Sequence, residues 1–209
     1  MPTIETLALV TLAGLALSAS PGPSMLYVLS RSIGQSRAAG LASAIGLGLG
    51  GVVLAVATAL GLAALFEQSQ QAKSILTVVG AAYLIYLGIQ TILTWDEGSG
   101  EEISLVRVER ADFLRIIYQG VLVEVLNPKT ILFFLAFLPQ FIDSGQGDVA
   151  LQLLILGILV PLTAVPSDII VAFVGGSVAQ AVNGNRSIKM ALAWLGGLFL
   201  IGIGVNLFI

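Results

Sequence analysis

The sequence predicts an all-α membrane protein: six transmembrane helices arranged as two inverted three-helix repeats, with spans one and four broken at proline motifs. Three observations carry that expectation. Apolar residues make up 57% of the 209 and charged ones only 10%, whereas soluble domains use about a quarter of their residues as charge. Mean hydropathy is +1.01, so a water-soluble globule is excluded. Apolar stretches separated by charge recur along the chain, each long enough for the about 20 residues that a helical crossing requires. Two of them carry polar, proline-flanked motifs at corresponding places in the two halves: Ser20-Pro21-Gly22-Pro23-Ser24 and Asn127-Pro128-Lys129-Thr130.

The first stretch covers about 4–30. It begins Met1-Pro2-Thr3-Ile4-Glu5, without a positive n-region, and reads as a retained span rather than a cleaved signal peptide. The second, about 39–65, is rich in glycine: Gly46, Gly48, Gly50 and Gly51 suit close helix approach, and Gly46 with Gly50 forms one GxxxG, a pattern that also serves faces of a homodimer. The third covers about 74–94. A charged connection of about 95–112 follows, acidic from Asp96 to Glu102 and basic at Arg107 and Arg110, and reads as a solvated linker. The fourth, fifth and sixth stretches are about 113–142, 149–176 and 188–209, with Pro161 and Pro166 read as kinks in the fifth. A closed barrel is the other structure able to span a membrane. Its strands would alternate polar and apolar residues, and Val121-Leu122-Val123 and Ile131-Leu132-Phe133-Phe134-Leu135 do not. The whole chain, 1–209, thus reads as one membrane domain, with repeat one at about 1–94 and repeat two at about 113–209.

The repeat rests on the third and sixth spans. Residues 80–90 (GAAYLIYLGIQ) align with 196–206 (GGLFLIGIGVN), matching glycine, leucine and isoleucine in place and pairing Tyr with Phe, Ile with Val and Gln with Asn. A repeat of three crossings is inverted, because an odd number of passes turns the second copy upside down. Lys and Arg fix the orientation. Arg31, Arg37, Arg107, Arg110, Arg115, Arg186 and Lys189 fall on one side and Lys73 alone on the other, so the first side is expected in the cytoplasm and both termini outside.

Proline removes a backbone donor and disfavours helical angles in the residue before it, so each motif should break its span. Broken backbone at membrane depth is tolerated where protein buries it or a cavity hydrates it, and paired broken helices in inverted halves point to a transporter binding site. Three ionisable side chains fall within spans: Glu124, Lys129 and Asp168. Each costs roughly 2.5–3.5 kcal/mol at a helix centre on insertion scales, so such residues usually face the bundle interior. At about 1.5 Å per residue, Glu124 lies about 13 Å from Arg115, Asp168 about 12 Å from Gly176 and Pro23 about 12 Å from Arg31, which puts them in one layer. Glu124 and Lys129 have a second reading as a buried pair that only holds helices together. With no Cys and no His, disulfides and the usual zinc and haem sites fall away, no metal or cofactor is expected, and nine basic residues leave no patch for nucleic acid.

Ser20-Pro21-Gly22-Pro23, Leu126-Asn127-Pro128-Lys129-Thr130 running into Phe137-Leu138-Pro139-Gln140-Phe141, and Asp168 together resemble the LysE/RhtB family of bacterial amino-acid exporters over essentially the whole chain. The Asn-Pro-Lys motif and the following Phe-Leu-Pro-Gln-Phe are similar to the RhtB-like branch, which implies a multi-pass inner-membrane exporter of homoserine, threonine, leucine or related neutral amino acids, and not an enzyme. A zwitterion gains nothing from the membrane potential, whereas antiport with one inward proton gains about 2.3 kcal/mol per 100 mV. Asp168 or Glu124 would carry the proton or meet the ammonium group. Lys129 and the helix starts after Pro23 and Pro128 would meet the carboxylate, with Ser20, Ser24, Asn127 and Thr130 as hydrogen-bonding groups around Gly22. Expected partners are a small amino acid, protons, the lipid bilayer and a second copy of the chain in a homodimer, for which the GxxxG defines no particular face. A cation transporter or channel using the two carboxylates is the other class, against which Lys129 argues; an enzyme would have to work through carboxylates and lysine alone.

Overall fold

The computed structural model describes residues 2–19, 22–68, 70–93, 110–143, 145, 147–184 and 186–206. Among them all regular structure is helical: α1 (Ile4–Ala19), α2 (Pro23–Gly34), α3 (Arg37–Gln68), α4 (Gln70–Leu93), α5 (Phe113–Val125), α6 (Pro128–Phe137), α7 (Val149–Gly184) and α8 (Arg186–Asn206), with a 3₁₀ turn at Leu138–Phe141 extending α6. A chain with this little charge has few groups with which to solvate an open backbone, and helices satisfy each peptide group within the segment. The linker expected at about 95–112 lies outside the described residues except for its last three.

Arg37–Ala64 within α3 and Val149–Val174 within α7 are long and apolar enough to cross a membrane as they stand. The α1/α2 and α5/α6 pairs meet the same test as bent units, with bends of 54° and 50° at their breaks. Both expected ruptures are therefore present. The purely apolar parts of α4 and α8, Val78–Leu93 and Ala193–Gly202, are shorter, although the complete helices of 24 and 21 residues rise about 36 and 31 Å. In contrast to α1 and α5, α7 continues helically through Pro161 and Pro166; neither proline there is joined by a capping Asn or a flanking glycine.

Small residues set the packing. α3 lies antiparallel to α7, its contacts running from Gly40 at Ala172 through Gly48 at Val165 and Gly51 at Pro161 to Ala55 at Gly157. A Cβ added at Gly40 would stand 3.0 Å from the Ala172 Cβ, and one added at Gly157 would stand 3.0 Å from the Ala55 Cβ. These two contacts exchange under a shift of 117 positions, Gly40 to Gly157 and Ala55 to Ala172. The α4–α8 crossing behaves alike: Gly88 faces Gly197 and Ile201, while Gly204 faces Ala81 and Ile85, the same set shifted by 116. Gly14 of α1 meets Val160 and Thr163 of α7, as Gly120 of α5 meets Ser43 and Gly46 of α3. The Gly46/Gly50 pair is thus spent inside the chain, against Ile117, Gly120, Val121 and Glu124 of α5, rather than left open for a second copy.

The main apolar core, with Val10, Leu17, Leu54, Phe133, Phe137 and Leu156 fully or nearly fully buried, fills one half of the bundle. Its outer surface remains apolar, with Leu60, Leu126, Ile170 and Leu195 exposed. Such a surface suits a hydrocarbon solvent.

Candidate substrate-binding site at the two helix breaks

At the second break the local chemistry is fully visible. Pro128 is the first residue of α6, Asn127 before it is extended at φ −70 and ψ 110, and its side chain accepts the Lys129 N–H at 3.0 Å. Asn127 is thus an N-cap that removes one orphan donor of the new helix. At the first break Gly22 is fully extended, Pro23 opens α2, and among the described residues no side chain caps that helix. Its first-turn N–H groups have no intrahelical acceptor. Ser20 and Pro21 lie outside the described residues.

The breaks cross, and each supplies what the other lacks. Glu124 sits in the last turn of α5, where the helix dipole is unfavourable to a carboxylate. It is held instead by hydroxyls of the other two half-helices: Ser24 donates to one oxygen, and Thr130 to the other at 2.9 Å. Asn127 Nδ2 donates to Ser24 Oγ at 2.8 Å, which joins α2 to the break of the other span. Lys129, placed at the positive start of α6, donates its ammonium to the Leu17 carbonyl at 2.8 Å in the closing turn of α1, where a cation is favoured. Ser18 Oγ and Ser167 Oγ, 3.2 Å apart, tie that same turn to α7.

Between these elements is a cavity of about 50 Å³, room for a few water molecules. Gly22, Ser24, Glu124, Asn127, Lys129, Thr130 and Asp168 line it. The proposed layer of charge is therefore one chamber. Pro23 and Pro128 shape it as helix starts without lining it. Gly14, Ser18, Met25, Gly51, Phe134 and Ala164 also contribute to its wall. Sequence reasoning missed these because an apolar or hydroxyl residue on an apolar helix carries no mark of the face it presents. Only Ser18, a turn before the first break, had a local signal.

The two carboxylates differ. Glu124 accepts hydrogen bonds at both oxygens. Asp168 is 8% exposed, lies within electrostatic reach of Glu124, and accepts no hydrogen bond from the described residues. Lys129 differs from expectation in that its ammonium is engaged by α1 and its own N–H by Asn127. Among the described residues no group of three or more His, Cys, Asp or Glu side chains could hold a metal ion.

The sequence matches the LysE type translocator family over residues 15–209. An uncharacterized membrane protein of Pseudomonas aeruginosa is 32% identical over 189 residues, covering 90% of this chain and 87% of that protein. The homoserine/homoserine lactone efflux proteins of Salmonella typhimurium and Salmonella typhi are 32% and 33% identical over 189 residues, covering 88% of this chain and 87% of each relative. No solved structure matches the chain.

Proposed function

The chain belongs to the LysE type translocator family, and on that premise we propose that it exports small neutral amino acids, such as homoserine, threonine or leucine, by antiport with protons across the bacterial cytoplasmic membrane. It is a membrane transporter of the amino-acid efflux type, not an enzyme. Names of its relatives support homoserine as the first substrate to try.

The observation that carries this reading is Asp168. Its carboxylate faces the small cavity and accepts no hydrogen bond from the described residues; a partly desolvated charge of this kind is costly, and either a proton or a substrate ammonium group removes that cost. The two cannot both be held by the same oxygen pair. Competition at Asp168 therefore gives antiport directly: the ammonium arrives as the proton leaves, and the returning proton displaces it. The substrate carboxylate is assigned to the start of α2, which no described side chain caps and where Ser24 and Met25 lie in the cavity wall, because helix starts favour anions. α6 is less suited, since Asn127 occupies its Lys129 N–H. A cation channel is disfavoured by the Lys129 ammonium in the same wall and by the small, largely apolar-rimmed space.

Six spans in two inverted repeats account best for the packing. The exchange of α3–α7 contacts under a shift of 117 positions, and of α4–α8 contacts under 116, is what a pseudo-twofold axis in the membrane plane generates between antiparallel partners. In the α1–α7 and α5–α3 contacts Ser43 and Gly46 again correspond to Val160 and Thr163 under the shift of 117, while Gly14 and Gly120 are 106 positions apart. α4 and α8, each above 30 Å in rise, then complete the six crossings. Arg31, Arg37, Arg110 and Arg115 put their side in the cytoplasm.

The test is transport in proteoliposomes loaded with labelled homoserine, threonine or leucine. Acidifying the opposite side should drive at least one of them out against its gradient. Movement indifferent to the proton gradient removes antiport, and no movement of any of the three removes the substrate class.

A further inference from the structure

Beyond the cavity, polar side chains join α2 to α5 along their length. Ser24, Tyr27 and Arg31 recur at three- and four-residue steps and so share one face of α2, and Gln35 follows as its C-cap. Each meets α5 or the residues leading into it. Ser24 reaches Glu124 in the cavity wall. The Tyr27 hydroxyl donates to the Ile116 carbonyl at 2.8 Å. Arg31 Nη2 donates to Gln119 Oε1 at 2.6 Å, and its guanidinium lies 5.7 Å from the Tyr27 ring centre. Gln35 Nε2 donates to the Ala111 carbonyl at 2.8 Å, while Gln35 Oε1 accepts the Ala111 N–H at 3.2 Å. The series leads from the chamber to the end of the bundle that bears Arg31, Arg37, Arg110 and Arg115.

This seam is richer in hydrogen bonds than its neighbours, although the Tyr27 ring also packs against Ile116 and Ile117 within it. α2 joins α3 and α7 mainly through tight packing of small residues, with the Ser32 hydroxyl donating to the Ala172 carbonyl: a Cβ on Gly40 would stand 2.8 Å from the Ser32 Cβ and 3.0 Å from the Ala172 Cβ. The opposite half of the bundle is closed by the apolar core around Phe133, Phe137 and Leu156. Parting apolar surfaces exposes area to water. Parting a polar seam exchanges protein hydrogen bonds for water hydrogen bonds at small net cost. Water entering at the arginine-bearing end opens the seam by hydrating it.

The geometry points to this seam as the gate on the arginine-bearing, cytoplasmic side, with the Arg31–Gln119 pair as its latch. The gate is independent of which solute is carried. Opening separates α2 from α5 while α2 stays on α3 and α7, tilts α5 on its glycine crossing with α3 at Gly46 and Gly50, and uncovers Ser24 and Glu124 at the inner end of the stripe.

The chain contains no cysteine, so single introduced thiols are clean reporters. Ala164→Cys places a thiol in the cavity wall. In inside-out vesicles, an impermeant maleimide should label it about tenfold faster when Gln119→Ala is added, the effect of losing one charge-assisted hydrogen bond on the open fraction. Gln35→Ala is the second variant should Gln119→Ala lower membrane yield, and it should act in the same direction. Unchanged labelling, or acceleration only in right-side-out vesicles, overturns the gate. Independently, Gln35→Cys with Ala111→Cys, bridged by a short bis-methanethiosulfonate, should block efflux until reductant is added; full efflux from the bridged protein overturns the proposal. The labelling arm needs no substrate, so its failure is distinguishable from failure of the export reading.

Discussion

At the scale of single residues, two carboxylates in one chamber have been given different tasks by their neighbours. Glu124 accepts from Ser24 and Thr130; Asp168 accepts no hydrogen bond from the described residues. Asp168→Asn keeps the shape but can neither pair with an ammonium nor exchange a proton. We expect normal membrane yield with a 10- to 100-fold loss of gradient-driven efflux, about the 1.5–3 kcal/mol of a charged hydrogen bond, measured as initial rates in proteoliposomes. Glu124→Gln is expected to fail differently. An amide keeps one acceptor oxygen and turns one hydroxyl into an acceptor of its N–H, so two charge-assisted bonds become neutral ones, and the thermal midpoint in detergent should fall by an amount corresponding to about 1–3 kcal/mol. Equal effects of the two substitutions on stability would contradict this division. The proline motifs and the presence of three intramembrane charges were legible in the sequence. Which carboxylate is left open was not, because the donors to Glu124 come from Ser24, one hundred residues away, as well as from nearby Thr130.

For the helical elements, the breaks follow from local chemistry while the crossings follow from glycine. Asn127→Ala removes the cap on α6 and the bond to Ser24. Its expected cost is about 1 kcal/mol for the cap, read as a lower unfolding midpoint, with slower efflux because α2 loses its tie to the second break. Gly46→Leu tests the packing. A Cβ at Gly46 would stand 3.0 Å from the Gly120 Cα and run into the Ile117 carbonyl. Since backbone cannot turn aside as a side chain can, α3 and α5 must separate, at about 1–3 kcal/mol or more; full thermal stability of this variant would show that the crossing is looser than drawn. The GxxxG was readable as a site of close approach. That α5 of the same chain occupies it depended on where the first broken span leaves α3. Likewise Pro161 and Pro166 lie in a continuous α7, because packing against α3, with Gly51 seated on Pro161, holds the helix across them.

For the whole molecule, both breaks line one chamber, and the proposed inverted repeats make it the meeting place of two halves. Inverted repeats predict that equivalent points of the two halves face opposite sides of the membrane. A reporter active only in the cytoplasm should therefore be silent when fused after Ile209 and active when placed in the 95–112 connection; the reverse pattern would invert the topology. Charge alone supports this expectation, and the exchange of contacts between α3 and α7 supports it separately.

The sequence by itself determined the solvent, the helical class and the positions of both ruptures. Hydropathy and proline act through the nearest few residues and are therefore local. Tertiary structure decided which charges are satisfied. Lys129 caps α1 and Glu124 is gripped by α2 and α6, while Asp168 stays open, because those outcomes depend on how distant helices cross. Crossing geometry is set by small residues scattered over the whole chain, and no single stretch of sequence contains it.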